Sequence, residues 1–146
     1  MPDTNNVQLR AAIHKVEFLS FEVLKKLKRE IPRTEFRYNM VFEISIDITE
    51  KLVRIATTIS LLKKEQETKL CEIKTNIEIF VENINEIISQ NAKNRFEISD
   101  TKSNSTLINI CISTTRGMLA MCIRDTPFKK AVIPLVATKS IKKKAP

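Results

Sequence analysis

The stretch "VFEISIDITEKLVRIATTISLL", residues Val41 to Leu62, alternates apolar and polar side chains on both sides of a short polar break. A period of two places every second side chain on one face of an extended strand, whereas a helix would spread the same isoleucines around its circumference. We therefore predict two antiparallel strands joined by a turn at Thr49–Lys51. Their apolar faces carry Phe42, Ile44, Ile46 and Ile48 in the first strand and Val53, Ile55, Thr57, Ile59 and Leu61 in the second.

A third strand follows after the charged connection 63–69. The sequence "LCEIKTNIEIFV" at 70–81 alternates in the same way. Its apolar face carries Cys71, Ile73, Thr75, Ile77, Ile79 and Val81. Because both connections are short, the three strands should form an antiparallel meander with one buried face and one face toward water. We therefore predict that carboxylates such as Glu43 and Glu78 are solvated charges on the face toward water.

The upstream segment 16–23 fits two structures. Val16, Leu19 and Val23 have the spacing of a helix face. The same residues also fit a strand in which the alternation changes face between Phe18 and Leu19, which is typical of a β-bulge. We favour the bulged strand, which brings the sheet to four strands.

The downstream segment predicts one long helix. The polar residues 91–105 predict a loop, and from Leu107 onward apolar residues recur at i, i+3, i+4 and i+7 as far as about Asp125. Ser103 or Ser105 offers a side-chain oxygen to cap the first turn. The chain is thus predicted to be α+β, with a four-stranded antiparallel sheet packed against a long helix in the C-terminal half. The helix is apolar around most of its circumference, so a second copy of the chain should cover the side that the sheet leaves open.

Gly117 stands inside this helix and is the single glycine of the chain. Glycine in a helix interior costs about 1 kcal/mol relative to alanine. We expect a close contact of its backbone with another element, or a kink, to offset that cost.

Length and charge point to one basic domain. A chain of 146 residues suits a single domain, here residues 1–138, followed by a basic, flexible tail at 139–146. The net charge is +8. We expect no secretion signal and no membrane-spanning segment, because the longest run without charge, 103–115, is partly polar. The 3 cysteines form no CxxC pair, so we expect a reducing, cytoplasmic setting.

The residues for catalysis are few. His14 is the single histidine, which excludes imidazole relays and multi-histidine metal sites. A single glycine excludes the glycine-rich phosphate loops. Cys111 and Cys122 share an apolar helix face, where cysteine behaves as a small hydrophobic residue. We predict neither enzyme activity nor a metal or cofactor.

Apolar residues exceed what a small core obviously needs. Phe36, Tyr38, Met40, Leu62 and Phe80 are the surplus. They could complete the core and subunit contacts, or they could line a groove for an extended, unfolded polypeptide.

The order of segments resembles that of the SecB-like protein-export chaperones. The resemblance covers about residues 9 to 137 and rests on "HKVEFLSFEV" (His14–Val23), "MVFEISIDI", "VRIATTISLL" and "CEIKTNIEIFVEN". A long helix carrying "TTRG" (Thr114–Gly117) and a terminal "IPLV" (Ile133–Val136) complete it. It looks most like the divergent members with a Thr-Arg-Gly element in this helix.

This resemblance implies a four-stranded sheet, a long helix, assembly as a dimer of dimers, and ATP-independent holding of non-native polypeptides. It places client contacts at Phe36, Tyr38, Met40, Phe42, Ile133, Leu135 and Val136. It places contacts between copies at Thr114, Gly117, Met118 and Met121. Characterised members are acidic and meet the translocation motor through a negative sheet face. This chain is basic, so we consider two roles: protein export, and service to a specialised partner such as a toxin–antitoxin system.

The alternative function is that of a small basic protein that binds nucleic acid or a ribonucleoprotein. It would use "KSIKKK" at 139–144 and the aromatic–basic cluster at Phe36–Tyr38. Phosphate contacts release counterions, so affinity of this kind should fall steeply with salt.

Overall fold

The computed structural model describes residues 7–64, 68–131 and 142–143. In chain order its elements are β1 Ala11–Val23, a 3-10 turn Arg33–Glu35, β2 Phe36–Asp47, β3 Leu52–Lys63, β4 Lys69–Val81, α1 Ile84–Ile87, β5 Ile88–Gln90, β6 Phe96–Ile98, α2 Thr101–Ile123 and β7 Lys142–Lys143. The four long strands therefore precede the one long helix.

The main sheet has the strand order β1-β4-β3-β2-β7. The pairs β1–β4, β4–β3 and β3–β2 are antiparallel, and the two-residue β7 lies parallel to β2 at the far edge. Helix α2 packs mainly on β3 and β4. The predicted α+β fold, with a four-stranded antiparallel sheet against a long helix, is confirmed.

The alternating residues form the buried face of the sheet. On β3 and β4 every predicted apolar position is 1% exposed or less, from Val53 to Leu61 and from Cys71 to Val81. The residues between them lie on the opposite face, which is mostly polar but also carries Leu62 and the exposed Phe80. The first strand ends one residue earlier than its isoleucine pattern suggests: Ile48 lies in the turn, where the Asp47 carboxylate accepts a hydrogen bond of 3.0 Å from the Glu50 amide.

Segment 16–23 is a strand and belongs to the longer β1. Its pairing with β4 shifts register between Ile13 and Lys15 and again between Phe18 and Ser20. The second irregularity falls at Leu19, where the sequence predicted a change of face. An extra residue in one strand lets the side chains after it return to the face that the earlier ones occupied.

Helix α2 begins earlier than predicted, so the proposed caps are wrong. It starts at Thr101, and Asp100 is its N-cap. A carboxylate oxygen of Asp100 accepts a hydrogen bond of 3.0 Å from the Ser103 amide. Ser103 is buried inside the first turn, and Ser105 lies two residues further on, also inside the helix. The polar residues 101–106 look like a loop in the sequence because most of them face water on the helix surface.

The 23 residues of α2 are long and apolar enough to cross a membrane by length and composition, with a mean hydropathy of 1.4 over their most apolar window. One side of the helix is buried against the sheet, through Leu107, Ile108, Cys111, Ile112, Thr115, Leu119 and Ile123. The apolar residues on this side of α2 are therefore explained by their packing against the sheet, as in an amphipathic core helix.

The predicted loop 91–105 also contains half of a hairpin. β5 and β6 pair antiparallel, and the Asn91 side-chain oxygen closes their turn by accepting from the amides of Lys93 at 2.9 Å and Arg95 at 3.1 Å. Asn94 takes a φ of 58°, a left-handed conformation that asparagine tolerates. Three-residue strands of this kind carry too little alternation to be found in a sequence.

Candidate functional site

The inner face of β1 is an apolar surface that the other described residues leave largely exposed. We define the β1 strip as Ile13, Val16, Phe18, Phe21 and Val23. Each of these residues pairs with a buried position of β4, so the strip continues the core face of the sheet. Ile13 is nevertheless 51% exposed and Phe18 50% exposed, because α2 lies over β3 and β4. A continuous apolar strip of this size on a strand is typical of an interaction surface.

β1 is also an edge of the sheet. In the strand order it neighbours β4 alone, so one line of its main-chain N–H and C=O groups lies beyond the sheet's pairing among the described residues. Edge strands with apolar faces favour pairing with a further strand. A single partner strand could therefore form hydrogen bonds with the main chain of β1 and also pack against its apolar side chains.

The helix residues predicted to contact a second copy lie along one side of α2. Thr114 and Met118 are half-buried, whereas Gly117 is exposed and Met121 is 69% exposed. A Cβ atom added to Gly117 would meet no atom within 4 Å. The close contact expected at this glycine is therefore not made within the described chain.

A second surface is concave and lies where three segments meet. We call it the loop hollow: a cavity of about 600 Å³ lined by Leu27, Lys28, Arg29, Glu30, Ile31, Pro32, Glu35 and Lys63. Two main-chain hydrogen bonds fix its walls, from the Ile31 amide to the Pro127 carbonyl at 3.1 Å and from the Lys64 amide to the Glu35 carbonyl at 2.8 Å. It adjoins the start of β2, where client contacts were predicted.

The predicted client-contact side chains of β2 belong mostly to the core. Phe42 is 0% exposed, Phe36 is 7% and Met40 is 9%, while Tyr38 is half-buried. Their side chains fill the space under the sheet and are not free to receive a client. The remaining predicted contacts, Ile133, Leu135 and Val136, lie outside the described residues.

The outer edge of β2 is partly occupied by the chain's own terminus. Lys142 and Lys143 of β7 pair in parallel with Val41 and Phe42. Two residues of the segment predicted as a tail therefore add to the same strand whose buried side chains were predicted to meet clients.

The cysteine thiols are poor nucleophiles. Burial raises the pKa of Cys111 to about 12, and burial together with the nearby Cys122 thiol raises the pKa of Cys71 to about 12. Burial also raises the pKa of Cys122. The thiols are therefore protonated at neutral pH, although the thiolate is the reactive form.

Charged groups on the outer face of the sheet pair with one another. Arg54 lies 3.0 Å from Glu78 and 3.9 Å from Asp47, and Glu72 accepts a hydrogen bond of 3.1 Å from the Ser60 hydroxyl. In the part of the chain that the structure describes, no group of three or more histidine, cysteine or acidic residues could hold a metal ion.

Sequence reasoning missed both the β1 strip and the loop hollow as sites. The hollow leaves a trace in "LKKLKREIPR", residues 24–33, where apolar residues interrupt a basic run. The strip leaves none, because its residues have the same alternation as the buried strands. The positions of α2 over β3 and β4 and of β6 against β2 decide which strand stays exposed.

Comparisons with known proteins identify the fold. No protein-family model matches the sequence, and no curated protein is significantly similar to it. Among solved structures, the fold is similar to that of a SecB-like chaperone of Mycobacterium tuberculosis in complex with a ChAD peptide from an antitoxin. The TM-score is 0.53 at 11% sequence identity, over 87% of this chain and 90% of that chain.

Proposed function

We propose that this protein is a divergent SecB-like holdase, which binds unfolded polypeptides without ATP and without a cofactor. The observation that carries the proposal is the arrangement of the sheet and the long helix, which leaves the loop hollow beside β2 for a client and the β1 strip for a second copy. It supports the proposal because the same sheet-and-helix arrangement occurs in a SecB-like chaperone that binds a peptide. Holding an unfolded chain requires apolar surface and strand edges rather than reactive groups.

The β1 strip binds a second copy of the chain in this proposal. Two β1 strands that pair antiparallel about a two-fold axis would join two sheets through their free edges and bring the two strips together. The helix side with Thr114, Gly117, Met118 and Met121 would supply a second contact between copies. Gly117 has space for such a contact, since no described residue outside its own stretch of helix lies within 4 Å of its missing Cβ. Both contacts together would give a dimer of dimers.

Clients would bind at the start and along the outer edge of β2. Because Phe36, Met40 and Phe42 are buried, main-chain groups of β2 and the apolar lining of the loop hollow are the parts accessible to an extended client. Strand addition of this kind gives affinity without reading a particular sequence. The resemblance also implies client contacts at residues 133–136, which lie outside the described residues.

Catalysis has no part in this proposal. Protonated, buried thiols support that choice, and the 3 cysteines of the sequence support a reducing compartment such as the cytoplasm. Delivery of clients to a translocation motor, or service to one particular partner, would be a specialisation of the same binding activity.

The test is a fluorescence anisotropy titration of a labelled, permanently unfolded protein with the full chain at moderate salt. The matched control is the same client in its native form. We expect saturable binding to the unfolded client alone, with a stoichiometry that reports the assembly. Equal binding to both forms, or to neither, would contradict the proposal.

The nucleic-acid alternative loses one of its two sequence features. Phe36 is buried and Tyr38 half-buried, so this aromatic pair is not an exposed platform on which bases could stack. The basic segment 139–144 is the feature that remains, and its deletion separates the two functions.

A further inference from the structure

We propose that the loop hollow binds segments of a polypeptide in which an apolar residue is flanked by aspartate or glutamate. This inference rests on the proposed function and adds the chemical class of the client segment. It follows from the lining of the hollow, from the charges around it, and from the way its walls are held.

The lining combines apolar and basic side chains. Leu27 is half-buried and lines the hollow next to the buried Ile31, so the lining includes an apolar surface, mainly that of Leu27. Lys28 and Arg29 are exposed and Lys63 is half-buried at the same cavity. An apolar side chain can therefore be buried while its acidic neighbours meet cations at the mouth.

Further cations offset the acidic residues of the lining. The Glu30 carboxylate lies 3.9 Å from the Lys129 ammonium and 3.7 Å from that of Lys130, so two lysines face this single negative charge. Glu35 is the other acidic residue in the lining. Cations thus outnumber carboxylates among the described residues around the hollow, and the potential at its mouth attracts negative groups.

The geometry favours a peptide over a nucleic acid. Among the described residues no aromatic side chain lines the hollow for a base to stack on, and the two carboxylates would repel a continuous row of phosphates. A cavity of about 600 Å³ suits a few side chains of an extended segment rather than the wide surface of a duplex.

The walls of the hollow are held in place before a ligand arrives. Its lining comes from the β1–β2 loop and the end of β3, and the two main-chain hydrogen bonds described above tie that loop to the turn after α2 and to the residue that follows β3. A preformed site loses less conformational entropy on binding than a loop that must first be ordered.

The test compares three peptides with one apolar core sequence and with aspartate, lysine or glutamine flanks, titrated into the full chain at low and at high salt. We expect the aspartate peptide to bind about tenfold more tightly than the lysine peptide at low salt. The difference should shrink at high salt, because ions screen exposed charges.

Charge-neutral variants locate the effect. In the triple variant Lys28→Gln, Arg29→Gln, Lys63→Gln the preference for aspartate flanks should vanish, while binding of the glutamine-flanked peptide is retained. The matched control removes the same charge from exposed lysines elsewhere, Lys74→Gln, Lys93→Gln, Lys102→Gln, and should keep the preference. Circular dichroism of both variants checks that they fold.

The outcomes separate this inference from the proposed function. Equal binding of aspartate and lysine peptides, together with binding of a permanently unfolded protein, overturns the inference and leaves the holdase. Failure of the unfolded protein and of all peptides to bind overturns both. Single-stranded RNA that competes as strongly as the aspartate peptide, and loses affinity in the same triple variant, would overturn the inference by showing a general polyanion site.

Discussion

At the residue scale, one hydrogen bond joins the sheet to the helix inside the core. The hydroxyl oxygens of Thr75 on β4 and Thr115 on α2 lie 2.8 Å apart, and both residues are 0% exposed. We predict that Thr115→Val lowers the free energy of unfolding by about 1–3 kcal/mol, because it leaves the Thr75 hydroxyl buried without this partner. Urea unfolding of the purified chain measures the change.

A neighbouring threonine provides the control. The Thr57 hydroxyl is buried with no oxygen or nitrogen partner among the described residues, and the Cys111 thiol is the weak partner beside it. Thr57 pairs with Thr75 across the strands. Thr57→Val should therefore leave the unfolding free energy unchanged or raise it slightly. The double variant Thr75→Val, Thr115→Val should recover part of the loss. A loss in Thr57→Val as large as in Thr115→Val would contradict this account.

A substitution at Gly117 should have opposite effects on the stability of a single chain and on the contact between copies. With an open position at its Cβ and an exposed site in a helix interior, Gly117→Ala should raise the unfolding free energy of the dilute chain by about 1 kcal/mol. If the glycine lies against a second copy, the same change should weaken self-association. Denaturation at low concentration measures the first effect and sedimentation velocity the second. Ala120→Gly, at another exposed position of α2, is the control and should lower stability without affecting association.

At the element scale, the strands were predictable and the helix start was not. Long alternation over β2, β3 and β4 has one structural solution, since a shift of one residue would turn every isoleucine toward water. The polar residues 101–106 fit two structures, a loop or an exposed helical turn, because both have the same polar composition. Asp100 was the signal that sequence reasoning passed over, since aspartate is a preferred N-cap and Ser103 follows at the spacing of the capping bond.

The β1 strip carries the prediction about assembly. Phe18 is 50% exposed in one chain, so Phe18→Glu removes little of that chain's own core. In a pair of copies joined through β1 the same change would bury two carboxylates without partners, which costs several kcal/mol. We expect the variant to have half the assembled mass or less in light scattering, with an unchanged circular dichroism spectrum.

Ser20→Glu is the control for this variant. Ser20 lies on the same strand and pairs with Lys74, on the water-facing side of the sheet. Assembly should survive the change there, because the new carboxylate stays solvated beside a lysine. Loss of assembly in both variants would point to the strand edge itself rather than to the apolar strip, and retention in both would exclude β1 as the contact.

At the scale of the whole molecule, the sequence is more informative about architecture than about surfaces. The fold class follows from the periodicity of apolar residues, which can be read within each stretch of sequence alone. Exposure does not: Phe42 and Phe18 both alternate on the core face of a strand, yet one is 0% and the other 50% exposed. The difference arises because β6 of the short hairpin contacts β2, whereas α2 lies over β3 and β4 and leaves the β1 strip exposed. Sites of this protein therefore depend on the packing of distant segments, which no local pattern encodes.

The C-terminal segment decides between the two functions at this scale. Deletion of residues 139–146 removes four lysines, Lys139, Lys142, Lys143 and Lys144, and with them the parallel pairing of β7 with Val41 and Phe42. For a holdase, the deletion frees main-chain groups at the β2 edge, so affinity for an unfolded client should stay the same or increase. For a nucleic-acid binder, the same deletion removes phosphate contacts and should reduce both affinity and its salt dependence. Anisotropy titrations of the full and shortened chains with an unfolded protein and with single-stranded RNA measure both effects. A shortened chain that loses its unfolded client would contradict the placement of clients at this edge.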